Sequence, residues 1–318
     1  MVALNPKPPT GAVACGRIQP IETHELRKVY GNTVAVDGIT LSVAKGEAFG
    51  FLGPNGAGKT TTIKILLGLV HPTMGQARLL GHAPGDPAVM GRVGFLPEYF
   101  RFHPWLTATD FLDLHGRLYG MSAEQCRRRI PQLLERVGLA DRANSHLGEF
   151  SKGMAQRIGL AQALLNEPEV VFLDEPTSGL DPLGRREVRD LIRELRNDGV
   201  TVFLNSHFLS EVEITCDRIA IVKRGRVACV GTLDELTRGS VEVEVHATGL
   251  TPELQEGLGR WGRILSADGD RFILAVEGEE VLPAIAGWLV EGGARLYALS
   301  PRRLSLEELF VRIMKEEA

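Results

Sequence analysis

Eight residues near the amino-terminal third, Gly53-Pro54-Asn55-Gly56-Ala57-Gly58-Lys59-Thr60, carry glycines, a lysine and a hydroxyl at the spacing G-x-x-x-x-G-K-[ST]. Glycines at this spacing let backbone N–H groups turn inward around phosphate oxygens. The helix that follows adds its positive end, Lys59 reaches the β and γ phosphates, and Thr60 offers a hydroxyl to Mg²⁺. The bare pattern arises by chance in about one chain in a hundred of this length, so its surroundings matter. They fit: the apolar stretch Glu47 to Leu52 reads as a strand running into the loop, and Thr61 to Val70 as a helix stopped before His71-Pro72.

A second constellation is Val170-Val-Phe-Leu-Asp174-Glu175, an apolar strand that delivers two adjacent acids at its carboxyl end. Ligands of open α/β sheets sit at that edge. Asp174 is placed to hold Mg²⁺ and Glu175 to accept the proton of an attacking water. Taken alone, two acids after a strand are a commonplace strand exit, and the pair gains meaning only beside Lys59.

The segments Phe150-Ser151-Lys152-Gly153-Met154, followed by Ala155-Gln156-Arg157, and Ser178-Gly179-Leu180-Asp181 resemble the signature motif and D-loop of ABC ATPases. The resemblance runs from about residue 21 to 239 with the motifs in the family's order. It implies an ATP-hydrolysing subunit that binds Mg-ATP between two cassettes, with Gly53 to Thr61 around the phosphates and Tyr30, in Lys28-Val29-Tyr30-Gly31, stacked on adenine. It further implies His207, in Asn205-Ser206-His207 directly after the strand, as the switch histidine. Without it, His207 reads as a loop histidine and Tyr30 as a strand-end aromatic. Two positions depart from the pattern. The signature keeps Ser151 and Gly153 but replaces its flanks with Phe150, Lys152 and Met154. The Q-loop glutamine is Glu98, after Gly94-Phe-Leu-Pro97, so its contact with Mg²⁺ is in question because a carboxylate adds negative charge beside a triphosphate. Ser151 is expected to cap the helix from Lys152 and to aim its hydroxyl, with the Gly153 amide, at a nucleotide held by the opposite subunit. Both departures resemble the drug, ion and polysaccharide exporter branch, whose membrane subunits are separate chains. That implies a permease partner, a second copy of the ATPase subunit, and a place on the cytoplasmic face of the inner membrane.

The positioning elements follow from pattern. Helical texture fills residues 97 to 166, with Thr109 to Tyr119, Ala123 to Val137 (carrying Pro131) and Lys152 to Leu165, and reads as an inserted helical subdomain. Strands return at Val170 to Leu173, Thr201 to Asn205 and Arg218 to Val222, the alternation that builds a parallel sheet. After Gly239, Val241, Val243 and Val245 alternate with Glu242, Glu244 and His246, and a β-α-β-β-α-β order with a helical tail predicts a ferredoxin-like unit. The expected organisation is a flexible extension over 1–20, an α/β P-loop NTPase cassette of the ABC type over 21–239, and a small α+β accessory unit over 240–318. The tail's apolar stripe of Leu306, Leu309, Phe310 and Ile313 is read first as packing onto that small unit.

Composition narrows the alternatives. The 318 residues are 44% hydrophobic and 24% charged, enough for a full core and a second unit. With 36 basic against 40 acidic residues the net charge is −4, giving no basic field for nucleic acid. The cysteines, Cys15, Cys126, Cys216 and Cys229, lack metal or disulfide spacing, and no apolar run nears the roughly 20 residues of a membrane helix. A soluble ABC ATPase without a membrane partner is the competing reading. The ribosomal type resembles two cassettes on one chain, and the chromosomal type needs a long coiled coil between Lys59 and Ser151, where no heptad run occurs. A switch GTPase expects Asn-Lys-x-Asp, and no Asn-Lys pair is present.

Overall fold

The computed structural model describes residues 18–99, 102–237, 241–302 and 305–315, so the extension expected over 1–20 falls almost wholly outside the described residues. The chain begins with Ile21–Tyr30 (β1) and Thr33–Val43 (β2), joined through Gly31 at φ +55, followed by Ala48–Leu52 (β3), Lys59–Leu66 (α1), Met74–Leu79 (β4), Pro87–Met90 (α2) and Val93–Leu96 (β5). Helix α1 opens at Lys59 itself. It closes well before His71-Pro72, because Gly68 takes φ +71 and its N–H turns back to the Ile65 carbonyl.

Three longer helices come next: Ala108–Leu118 (α3), Ala123–Arg136 (α4) and Lys152–Ala163 (α5). Capping boxes open the first two, Thr107 with Asp110 and Ser122 with Gln125, while Pro131 sits inside α4. Then follow Val170–Asp174 (β6), Pro182–Asn197 (α6), Thr201–Asn205 (β7), Leu209–Thr215 (α7), Arg218–Lys223 (β8), Arg226–Gly231 (β9) and Leu233–Thr237 (α8).

The central sheet has the order β5-β6-β7-β3-β8-β9, parallel except for β9, and a second, antiparallel sheet has the order β2-β1-β4. Strands β3, β6 and β7 are buried along their whole length, as a parallel sheet covered on both faces requires. Phe203 anchors one side, with ring centres of Phe49, Phe51 and Phe172 at 5.7, 5.2 and 5.4 Å. Burying each such ring is worth about 1.5–3 kcal/mol, which fixes the register of strands whose ends carry the polar residues.

The C-terminal part runs Val241–Thr248 (β10), Pro252–Leu258 (α9), Gly262–Asp268 (β11), Arg271–Val276 (β12), Leu282–Glu291 (α10), Arg295–Arg302 (β13) and Leu306–Lys315 (α11). Its antiparallel sheet has the order β11-β12-β10-β13. Val243, Val245 and Ala247 face a core of Leu254, Leu258, Ile285 and Leu289. The tail stripe does not pack there. Leu306 and Leu309 are buried in the large cassette cluster with Val212 of α7, and Phe310 and Ile313 pack against it. Lys223 Nζ donates to the Ile313 carbonyl at 2.9 Å, and Glu213 accepts from the Leu306 N–H at 3.4 Å. Arg312 pairs with the buried Glu242 of β10 at 2.8 Å, so α11 spans the two parts of the chain. Among the described residues no helix is long and apolar enough to cross a membrane.

Candidate functional site

Strands β3, β5, β6 and β7 are parallel, so their carboxyl ends open on one edge of the sheet. The glycine loop follows β3, Glu98 follows β5, Asp174 and Glu175 end β6, and Asn205 to His207 end β7. Sheet topology alone therefore gathers residues as distant in sequence as Gly53 and His207.

The loop is shaped by what its glycines lack. Gly56 and Gly58 take φ +80 and +100. A side chain at Gly58 would collide with the Ala35 carbonyl of β2, and one at Gly53 would meet the Val222 backbone and the Ala57 side chain. Gly58 is the N-cap of α1 and supplies no side-chain acceptor, and no acidic residue occupies the first turn. The helix thus presents unmet backbone donors beside Lys59, a cradle suited to an anion. Lys59 Nζ lies 2.6 Å from the Gly53 carbonyl and 3.2 Å from that of Pro54. Burial pushes its ammonium below the ordinary range, and the carboxylates of Glu175, Asp174 and Glu98 draw it back up.

Asp174 is 2% and Glu175 8% exposed. Burial raises the Asp174 carboxyl, an effect partly offset by the Asn205 Nδ2 donor at 2.5 Å, while the charge of Glu98 raises it further. Burial likewise raises Glu175, and His207 draws it down, with Nδ1 2.6 Å from Oε2. The Glu175 backbone is left-handed at φ +55, unusual for a residue with a Cβ. The oxygen donors here, the Asp174 carboxylate and the Thr60 hydroxyl, suit a hard cation. They are too few to cage one without phosphate and water oxygens, as is usual for Mg²⁺. Among the described residues no group of three or more acidic, histidine or cysteine side chains is placed to hold a metal ion.

Ser151 lies exposed at the start of α5 and caps it, its hydroxyl accepting the Met154 N–H at 3.2 Å. The beginning of α5 leans on its own chain's 178–181 turn. A side chain at Gly179 would strike the Lys152 methylenes, and one at Gly153 would lie 3.3 Å from Leu180. Asp181 caps α6 by accepting from the Gly184 N–H at 2.8 Å. Tyr30 ends β1, 47% exposed as a residue, with Lys28 Nζ 4.9 Å from its ring centre. Glu98 is exposed, and its charge is felt at both Lys59 and Asp174.

Two buried amides joined to these acids escape sequence reasoning. Asn205 appears there only as a strand end and a neighbour of His207, and Gln156 only as a residue following the signature. Asn205 holds Asp174 through its side chain and accepts the Glu175 N–H through its carbonyl at 2.8 Å. Gln156 Nε2 donates to the Glu175 carbonyl at 3.1 Å.

A loop, acids and histidine so arranged, with a capped signature helix alongside, define an ATP-binding cassette. The family model described as ABC transporter matches residues 36–178. An uncharacterized ABC transporter ATP-binding protein of Synechocystis is 42% identical over 324 residues, covering 99% of this chain and 88% of that protein. The Nod factor export ATP-binding protein I of Paraburkholderia xenovorans is 41% identical over 227 residues, 71% of this chain and 75% of that one. Among solved structures, a dimeric ATP-binding cassette in a post-hydrolysis state bound to ADP and Pi is 27% identical with a TM-score of 0.62, covering 67% of this chain and 98% of the other. The chain belongs to the ABC transporter ATP-binding protein family, and it is an ATPase of that family.

Proposed function

We propose that this chain powers an exporter by hydrolysing Mg-ATP at a site completed by a second copy of itself. The supporting observation is the division of the motif residues. Lys59, Asp174, Glu175 and His207 meet at one sheet edge, whereas Ser151 stands exposed at the head of α5, a helix N-terminus that it caps. The backbone N–H groups of residues 55–61 and the Lys59 ammonium bind the triphosphate, and Tyr30 stacks on adenine. Thr60 and Asp174 hold Mg²⁺, with Glu98 a further oxygen donor within its field; when bound, the cation neutralises charge on the phosphates. Glu175 takes the proton of the water attacking the γ phosphorus. His207 Nδ1 fixes the Oε2 atom, so that the free oxygen faces the water. Ser151 and Gly153 of the second copy close over the γ phosphate from the other side.

The permease is a separate chain on this reading, and the ATPase sits on the cytoplasmic face of the membrane. The export direction follows the relative named for Nod factor export. Residues 21–239 form the cassette and 240–318 an accessory unit, ferredoxin-like in its element order, which α11 fastens to α7. The test is phosphate release. Glu175→Gln keeps the shape and loses the proton acceptor, so turnover should fall on the order of 10²- to 10⁴-fold while nucleotide binding persists. Wild-type turnover in that variant would end the reading.

A further inference from the structure

The Glu175 backbone is gripped from two sides. Its N–H is held at 2.8 Å by the Asn205 carbonyl of β7, and its carbonyl at 3.1 Å by the Gln156 side chain of α5. At φ +55 this residue occupies a conformation that persists only when its surroundings impose it. Gln156 is 5% exposed, and it is the one side chain of α5 that donates a hydrogen bond to the β6 exit among the bonds described. The same carbonyl also accepts the Ser178 N–H at 3.1 Å, a bond within the turn that follows, so Gln156 is the donor that reaches it from α5. The same helix opens at the exposed Ser151, five residues earlier, and leans on Gly179 and Leu180 of the turn that follows Glu175. Farther along, Arg157 pairs with Glu187 of α6 at 2.7 Å. Helix α5 is therefore tied at three points to the segment 175–187, and the innermost tie is to the backbone of Glu175.

We infer that Gln156 is a positioning residue: its amide ties the signature helix to the Glu175 carbonyl and so sets the direction of the carboxylate in the same chain. The inference rests on the proposed role of Glu175 as base. In a dimer, the helix that meets the partner's nucleotide is then the helix that orients its own chain's base. Each chain's Gln156 links one ATP site to the other.

The test uses tandem fusions of two full-length copies in which one copy carries Glu175→Gln, leaving a single working base. Gln156→Met, similar in length and without a donor, is placed on either copy, and steady-state phosphate release is measured against ATP. On the copy with the intact Glu175, kcat should fall about tenfold with KM changed less than about twofold, the size of effect expected when one of the carbonyl's two hydrogen bonds, the one from α5, is lost from a buried site. Placed on the copy that contributes only its Ser151 to the working site, it should change kcat less than about twofold. The inference is overturned if the loss follows the copy donating Ser151, if KM rises with kcat unmoved, or if neither placement slows turnover. Should Gln156→Met not fold, Gln156→Asn keeps the amide, falls one methylene short, and carries the same two arms. A fusion with Glu175→Gln in both copies that still turns over at the wild-type rate rejects the base itself, an outcome separate from any result at Gln156.

Discussion

The two halves of the proposed ATP site are built from opposite materials. The half around Lys59, Asp174 and Glu175 sits on the ends of fully buried strands, its acids almost closed off from solvent and each held by a neighbour. The half around Ser151 is a helix N-terminus at the surface, whose only described side-chain bond is its own cap. Chemistry needs acids with shifted proton affinity and fixed direction, which burial provides. Recognition of a nucleotide on another molecule needs exposure, which a buried strand end cannot give. On the proposed reading, that contrast assigns hydrolysis to one chain and its permission to two.

Variants that separate stability, binding and assembly sharpen that contrast. The largest expected effect is a control at the contact between α11 and α7, outside the residues proposed to bind ATP. Leu306→Ala opens a cavity where α11 meets the cassette and should cost about 2–5 kcal/mol in chemical denaturation, with ATP affinity at 25 °C unchanged. A loss of affinity there would show that the buried half depends on the C-terminal helix. Lys59→Ala removes a charge-assisted contact and should weaken ATP by about 1.5–3 kcal/mol, or roughly ten- to a hundredfold, in a titration of the isolated chain. If affinity held, the glycine loop would not be the phosphate site. Smallest is Tyr30→Ala, at about 1–3 kcal/mol, with Tyr30→Phe near wild type because stacking needs the ring and not the hydroxyl. Equal affinities for alanine and phenylalanine would remove the ring from the site.

Legibility in sequence follows the same division. The glycine loop could be read because its spacing is a backbone requirement: Gly58 at φ +100 against the Ala35 carbonyl admits nothing larger. Strands β3, β6 and β7 announced themselves as short apolar runs, and Ser151 as a cap ahead of a helical run. The strand β4, Met74–Leu79, went unread because only Leu79 of its six residues is buried and no alternation marks it. Edge strand β9 failed for a related reason, with only Gly231 fully buried. Asn205 and Gln156 were illegible as site residues, since the partner of an amide is decided by which strand or helix lies beside it. That the α11 stripe meets the cassette was equally hidden: an amphipathic pattern states that a face is covered, and leaves open by what.

Light scattering of the full-length chain with Mg-ATP tests the central claim most directly. In the Glu175→Gln background, where bound ATP persists, the protein should pass from monomer to dimer as nucleotide is added. Adding Ser151→Arg should abolish that association while the same titration still registers nucleotide bound to each chain. Association that survives Ser151→Arg, or a Glu175→Gln protein that binds ATP and stays monomeric, would contradict a site shared between two copies.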